Sequence, residues 1–313
     1  MERKSGPIVL RDSVVAIAVS FLFFYLGFAQ FFFVFPLLLL STQLGKGVSL
    51  ISIAVETALV VLYVVLTSSG GALALPFALF ELYIPLSLLA AGVIWLMTEK
   101  KSAGLRLLFS ILPSALFFII LYVYLEQDPA LLENIIGVYE DAFEALLGPF
   151  LNSEMVSEEV IGFVCRILLL VTVSMIVPLV LCFVCVTCFS YESVLHSRES
   201  DWEDRVARFE LDGRVIWIFL ALWLMILLTR FVSMPTMAGI ALFNGALSFT
   251  VCYAVQGFSV LCYNMRKRGR RIRSFSFLMI LLAIALFIPG INIVIVLALP
   301  LIGVLETFIE LRK

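Results

Sequence analysis

The chain has 313 residues, 63% of them apolar and 14% charged, and its formal net charge is −2. Soluble domains sit near roughly 45–50% apolar and about 25% charged, so an ordinary globular protein is excluded. The mean hydropathy of +1.13 agrees, and apolar runs of about 17 residues or more, each able to cross a roughly 30 Å hydrocarbon core, recur from Val14 almost to the C-terminus.

The expected fold is an all-α polytopic transmembrane bundle, a single integral membrane domain over 1–313. The longest polar stretch is about 33 residues, too short for a soluble domain of ~50. Arg3, Lys4 and Arg11 precede an apolar run that continues to Leu40, which reads as a retained first span rather than a cleaved signal. Apolar segments follow at 14–30, 31–43, 48–67, 73–97, 104–125, 160–190, 214–231, 234–263 and 275–311. Segment 31–43 is short and holds Pro36, so a re-entrant half-helix stands beside a crossing. Segment 275–311 would extend about 55 Å as one helix, and Pro289-Gly290 divides it.

Charge placement orients this segmentation. Lys46, the Glu99–Arg106 connection, the Tyr191–Arg214 loop and the Arg266–Arg273 loop hold most basic residues, whereas 126–158 holds eight acids and no Lys or Arg. The positive-inside rule sets the first group, including loops 191–213 and 264–274, in the cytoplasm and 126–158 outside. About ten passes, give or take two, follow, with both termini inside a bacterial cytoplasmic (inner) membrane. Segment 128–151 is amphipathic: Leu132, Ile135, Ile136, Tyr139 and Phe143 alternate with acids at helical spacing. An interfacial connection explains it, and a lid over an outward cavity is the functional alternative. Trp202, Val206 and Phe209 make a short amphipathic helix, and the basic loop reads as a topology determinant.

Motifs for soluble chemistry are missing. Cys182, Cys185 and Cys188 form a C-x-x-C-x-x-C run, but on a helix they fan over about 120° with no fourth thiolate expected beside them. All six cysteines lie in apolar segments and imply no disulfide framework. His196 is the single histidine and lies in a polar loop, away from any intramembrane triad. Neither a Walker A run, zinc spacing nor a dinucleotide turn occurs. No catalytic residue, cofactor, metal or nucleic-acid partner is therefore expected.

Ionisable groups in hydrocarbon are costly and carry the functional expectation instead. Glu56 lies mid-segment on a stripe with Ser49, Ser52 and Tyr63, and Glu81 lies on the next segment. Counted from the Ser68–Gly71 turn, the two differ in depth by only about 3 Å, so they are expected to meet in one helix-pair interface. Pro85 lacks the amide that would bond the Glu81 carbonyl, leaving a free carbonyl beside a carboxylate as in broken transporter helices. A protonated or structurally paired glutamate, for instance with Arg166, is the alternative. A second stripe runs Asn244, Ser248, Cys252, Gln256 and Ser259 among Gly239, Ala241, Gly245 and Gly257. It reads either as a cavity wall or as amide-bonded helix packing.

Asn244, Gln256-Gly257, the basic loop and the ending from Gly303 through Glu306 to Arg312, with Phe35-Pro36-Leu37 and Gly45, resemble the YybS-like family of bacterial membrane proteins. Glu306 stands where that pattern has an aspartate. The resemblance implies a polytopic inner-membrane protein and names no activity. More distantly the chain is similar to the substrate-capture membrane subunits of energy-coupling-factor importers and to the rod-shape protein MreD.

The leading expectation is a small-molecule substrate-binding or transport subunit. Glu56, Glu81, Asn244 and Gln256 would line a polar pocket between the 48–97 hairpin and the 234–263 helix. Any energising component would be a separate protein. The alternative is a non-transporting scaffold of cell-envelope assembly, and an intramembrane enzyme ranks third. Cysteines introduced at 266–273 should resist a membrane-impermeant thiol reagent in intact cells, while those at 126–158 should react. External labelling in 266–273 would overturn this topology.

Overall fold

The computed structural model describes residues 6–27, 29–68, 74–127, 134–135, 137–138, 141, 158–196, 199, 201–232, 234, 236–269, 273–288, 290–309 and 311–312. Among them there are eleven α-helices and no strand. They are α1 (Gly6–Tyr25), α2 (Phe35–Leu44), α3 (Lys46–Thr67), α4 (Ala74–Met97), α5 (Ala103–Glu126), α6 (Glu158–Leu195), α7 (Trp202–Ala207), α8 (Val215–Leu228), α9 (Thr236–Lys267), α10 (Ser274–Phe287) and α11 (Ile291–Ile309). Most of the amphipathic segment 128–151 lies outside the described residues.

Seven helices (α1, α3, α4, α5, α6, α9 and α11) are long and apolar enough to cross a bilayer. Three shorter apolar stretches, Gln30–Leu44, Val215–Leu228 and Ser274–Ala285, accompany them. The protein is therefore a multi-pass helical membrane protein. Its exposed surface is apolar in the manner lipid requires: on α11, where 6% of the span is buried, Leu297, Leu301, Leu305 and Phe308 all face outward.

Two boundaries depart from the sequence reading. α6 continues through Tyr191 to Leu195, so its 38 residues extend about 57 Å and carry helix well past one bilayer face. The apolar run 14–43 breaks at Gly27, whose φ of +61° suits glycine, then passes through a 3₁₀ turn at Gln30–Phe32 into α2. Pro36 falls in the first turn of α2, where its missing amide costs nothing. Ten residues of α2 rise only about 15 Å, half a hydrocarbon core. Hydroxyls pin this half-helix: Ser20 donates to the Phe33 carbonyl at 2.6 Å and Ser49 to the Leu37 carbonyl at 2.7 Å. The main core spreads from it, with Phe24, Phe33, Leu37, Val60, Leu89 and Val180 buried together.

α9 and α11 approach until their backbones touch. A Cβ on Gly257 would fall 1.9 Å from the Leu299 carbonyl oxygen, and one on Gly303 would fall 2.0 Å from the Tyr253 carbonyl oxygen. Only glycine fits either position. Polar contacts then gather the basic connections at one end of the molecule. Lys46 pairs with Glu99, Arg266 with Asp204 at 2.9 Å, and the Ser274 amide donates to Glu203 at 3.0 Å. Arg312 donates to the Phe209 carbonyl at 2.6 Å.

Gly257→Ala should therefore lower stability by about 1–3 kcal/mol, the usual cost of overpacking. Gly239→Ala, with no atom within 4 Å of the added methyl, should not. Thermal unfolding of the detergent-solubilised variants measures the difference. Equal melting temperatures would contradict the close crossing.

Candidate functional site

The buried amides of α9 are spent on backbone. Pro178 interrupts α6, and a proline displaces the ladder of the preceding turn. Asn244 bonds the turn before that proline: its Oδ1 accepts from the Val177 amide at 3.1 Å and its Nδ2 donates to the Val173 carbonyl at 2.9 Å. The side chain thus ties α9 to the backbone of α6 at two points one helical turn apart. Its Nδ2 also donates to Ile240 of its own helix at 3.1 Å.

Gln256 does similar work one end over. Its Oε1 accepts from the Leu211 amide at 3.0 Å, and its Nε2 donates to the Gly303 carbonyl at 2.9 Å. The side chain thus ties α9 to both α11 and the connection after α7. Ser259 extends the tie by bonding the Val206 carbonyl at 2.7 Å. Of the two readings of this stripe, helix packing is what the contacts describe.

The two glutamates are set in different surroundings. Glu56 is 0% exposed, and neither carboxyl oxygen has a hydrogen-bond partner among the described residues. Glu81 is exposed on α4, although α3 and α4 pack against each other. They do not close one buried pocket: equal depth along two helices leaves the facing direction free, and Glu81 turns outward. No cluster of three or more His, Cys, Asp or Glu that could hold a metal ion occurs among the described residues.

A cavity of about 480 Å³ opens instead at the end where the basic connections meet. Its walls come from α4, α5, α6, α7 and α9, with Trp95, Phe189, Trp202 and Phe258 supplying aromatic surface. A polar chain runs along it from interior to surface. The Arg106 guanidinium lies 3.9 Å over the Trp95 ring, donates to the Trp95 carbonyl at 3.1 Å and pairs with Glu192 at 2.9 Å. Glu192 also accepts from the Trp95 indole at 2.9 Å. His196 touches Glu192 through Nε2 at 3.1 Å and Glu199 through Nδ1 at 2.8 Å, with its ring stacked 5.4 Å from Trp202. The His196 hydrogen bond, aided by the positive charge of His196 and Arg205, holds the exposed Glu199 carboxyl below its ordinary range.

Lys46, Lys101, Arg106 and Arg205 line the cavity against Glu99 and Glu192, four cations to two carboxylates. None of Glu56, Glu81, Asn244 or Gln256 lines it. Sequence reading had assigned Arg106 to topology and Glu192 to a loop. The signal that could have found them is their place, with Trp95 and Trp202, at the ends of apolar runs on the same membrane side. Comparison with protein-family models, with curated proteins and with solved structures finds no match. The functional reading therefore rests on geometry.

Asn244→Ala should cost about 1–3 kcal/mol, because the Val173 and Val177 backbone groups lose their partner. Ser248→Ala, which removes only a bond to its own helix at Asn244, should cost far less. Denaturant titration in detergent compares them, and equal stability would show the bridge to be dispensable.

Proposed function

We propose that this multi-pass membrane protein is a small-molecule-binding or transport subunit of a bacterial cytoplasmic membrane, and that its ligand occupies the basic-end cavity. The observation that carries the reading is the cavity itself: about 480 Å³, aromatic-walled, with a few convergent polar groups. Ligand sites run to roughly 300–1,000 Å³ with this kind of lining. The excess of cations selects a compact organic anion, and the aromatic walls suit a planar or apolar body. The site is drawn here rather than between α3, α4 and α9 because the Asn244 and Gln256 amides are committed to backbone and Glu81 is exposed. With the basic connections cytoplasmic, the cavity opens to the cytoplasm, and a separate protein supplies any energy. The resemblance to the YybS-like family fits this location and adds no chemistry.

One observation favours the alternative, a non-transporting scaffold of cell-envelope assembly. The polar stripe of α9 fixes helix positions and leaves no free amide for a ligand. A thermal-shift screen of the purified protein against small organic anions separates the readings. A ligand present at about 100 times its Kd should stabilise by about 2.7 kcal/mol. Lys101→Gln, exposed at the rim, should keep the melting temperature of the ligand-free protein while weakening that response. If no anion stabilises the protein, the binding reading fails and the scaffold stands.

A further inference from the structure

Glu56 is used by neither reading, and its surroundings are the least explained in the molecule. It sits mid-way along α3 on the face that carries Ser49 and Ser52, and all three are buried. An ionised carboxylate in an apolar interior is held only by a cation or by donors. The helices packed on α3 are α1, α2 and α4. α2 has no titratable side chain. On α1, Arg11 and Asp12 pair with each other at 3.3 Å toward the N-terminal end, and Tyr25 is exposed at the other. On α4, Glu81 is exposed and the Tyr83 hydroxyl meets Ser114 at 2.7 Å. On α3 itself, Lys46 pairs with Glu99 and Tyr63 packs among Phe21, Phe24 and Tyr25. None of these groups is a hydrogen-bond partner of Glu56.

The hydroxyls of this region settle which form of the carboxyl fits. A serine hydroxyl has one proton, and that of Ser20 on α1 goes to the Phe33 carbonyl at 2.6 Å. Ser49, two turns back on the Glu56 face, likewise spends its proton on the Leu37 carbonyl at 2.7 Å. Neither proton is left to donate to Glu56. A carboxylate there would be without a donor, whereas a neutral acid carries no charge to be solvated. The same bonds that pin the half-helix α2 thus pre-set the polar surface for a neutral acid.

We propose that Glu56 is a proton-binding site, its carboxyl held as the neutral acid in the buried face of α3 and releasing the proton only where water or a cation reaches it. This site is separate from the basic-end cavity and does not depend on a ligand there.

Infrared difference spectroscopy of the full-length protein in liposomes, wild type minus Glu56→Gln, tests it. The expected result is one carboxylic-acid carbonyl band at neutral pH, lost reversibly to a carboxylate band on alkaline titration. Glu56→Asp, which keeps the acid and moves the band, serves if Glu56→Gln does not fold. Absence of the band at neutral pH overturns the proposal. So does a band that persists unchanged until the protein unfolds, or one that sodium converts to carboxylate at constant neutral pH.

Discussion

With no water in the bilayer core, each backbone amide or carbonyl freed from a helix must find its partner within the protein. The same backbone groups can also take a buried side chain, and the bonds from Asn244 to the α6 turn before Pro178 join two spans in this way. α6 is the longest helix and touches the half-helix α2, the α4–α5 hairpin and α9. Asn244 holds it in the turn before Pro178. Because the bridge comes from α9, that turn of α6 and the position of α9 are fixed together. Everything α9 positions follows, including its crossing with α11 and the wall it contributes to the cavity.

Polar residues divide by depth under the same constraint. In the apolar segments, hydroxyls turn back to carbonyls of the preceding turn, as Thr57, Ser110, Ser190 and Thr250 do. Others cross to a neighbouring backbone, as Ser20, Ser49 and Thr187 do. Charges collect where water can share the cost, and there they form a connected chain from Arg106 through Glu192 and His196 to Glu199. Arg106 is the deepest of these, 8% exposed, and it needs a carboxylate, a carbonyl and an aromatic face at once.

The helical membrane class and nearly every span were legible because hydropathy needs only composition along the chain. The turn at Gly290 and the entry of Pro36 at a helix start were legible for a similar reason, since both depend on local backbone chemistry. Facing direction was not. Glu56 and Glu81 sit at similar depths by counting, yet one is sealed and the other exposed, because rotation about a helix axis is set by packing with partners distant in sequence. The cavity was hidden for the same reason: Trp95, Arg106, Glu192 and Trp202 come from four separate stretches, and only their shared membrane end links them. Asn244 was legible as polar and intramembrane, while its target, the turn before Pro178, lies 67 residues away.

These two polar centres answer opposite physical demands. At the basic end, Arg106 meets the Glu192 carboxylate at 2.9 Å and His196 meets it at 3.1 Å, so the polar groups there are partnered with one another. At Glu56 no described group is a hydrogen-bond partner, and the Ser20 and Ser49 hydroxyls have given their protons to backbone. A carboxyl in such a place carries no charge unless water or a cation reaches it. The hydroxyls that hold the half-helix α2 in place are the ones withheld from Glu56, so the seating of α2 and the neutral state of the carboxyl are set by the same two bonds.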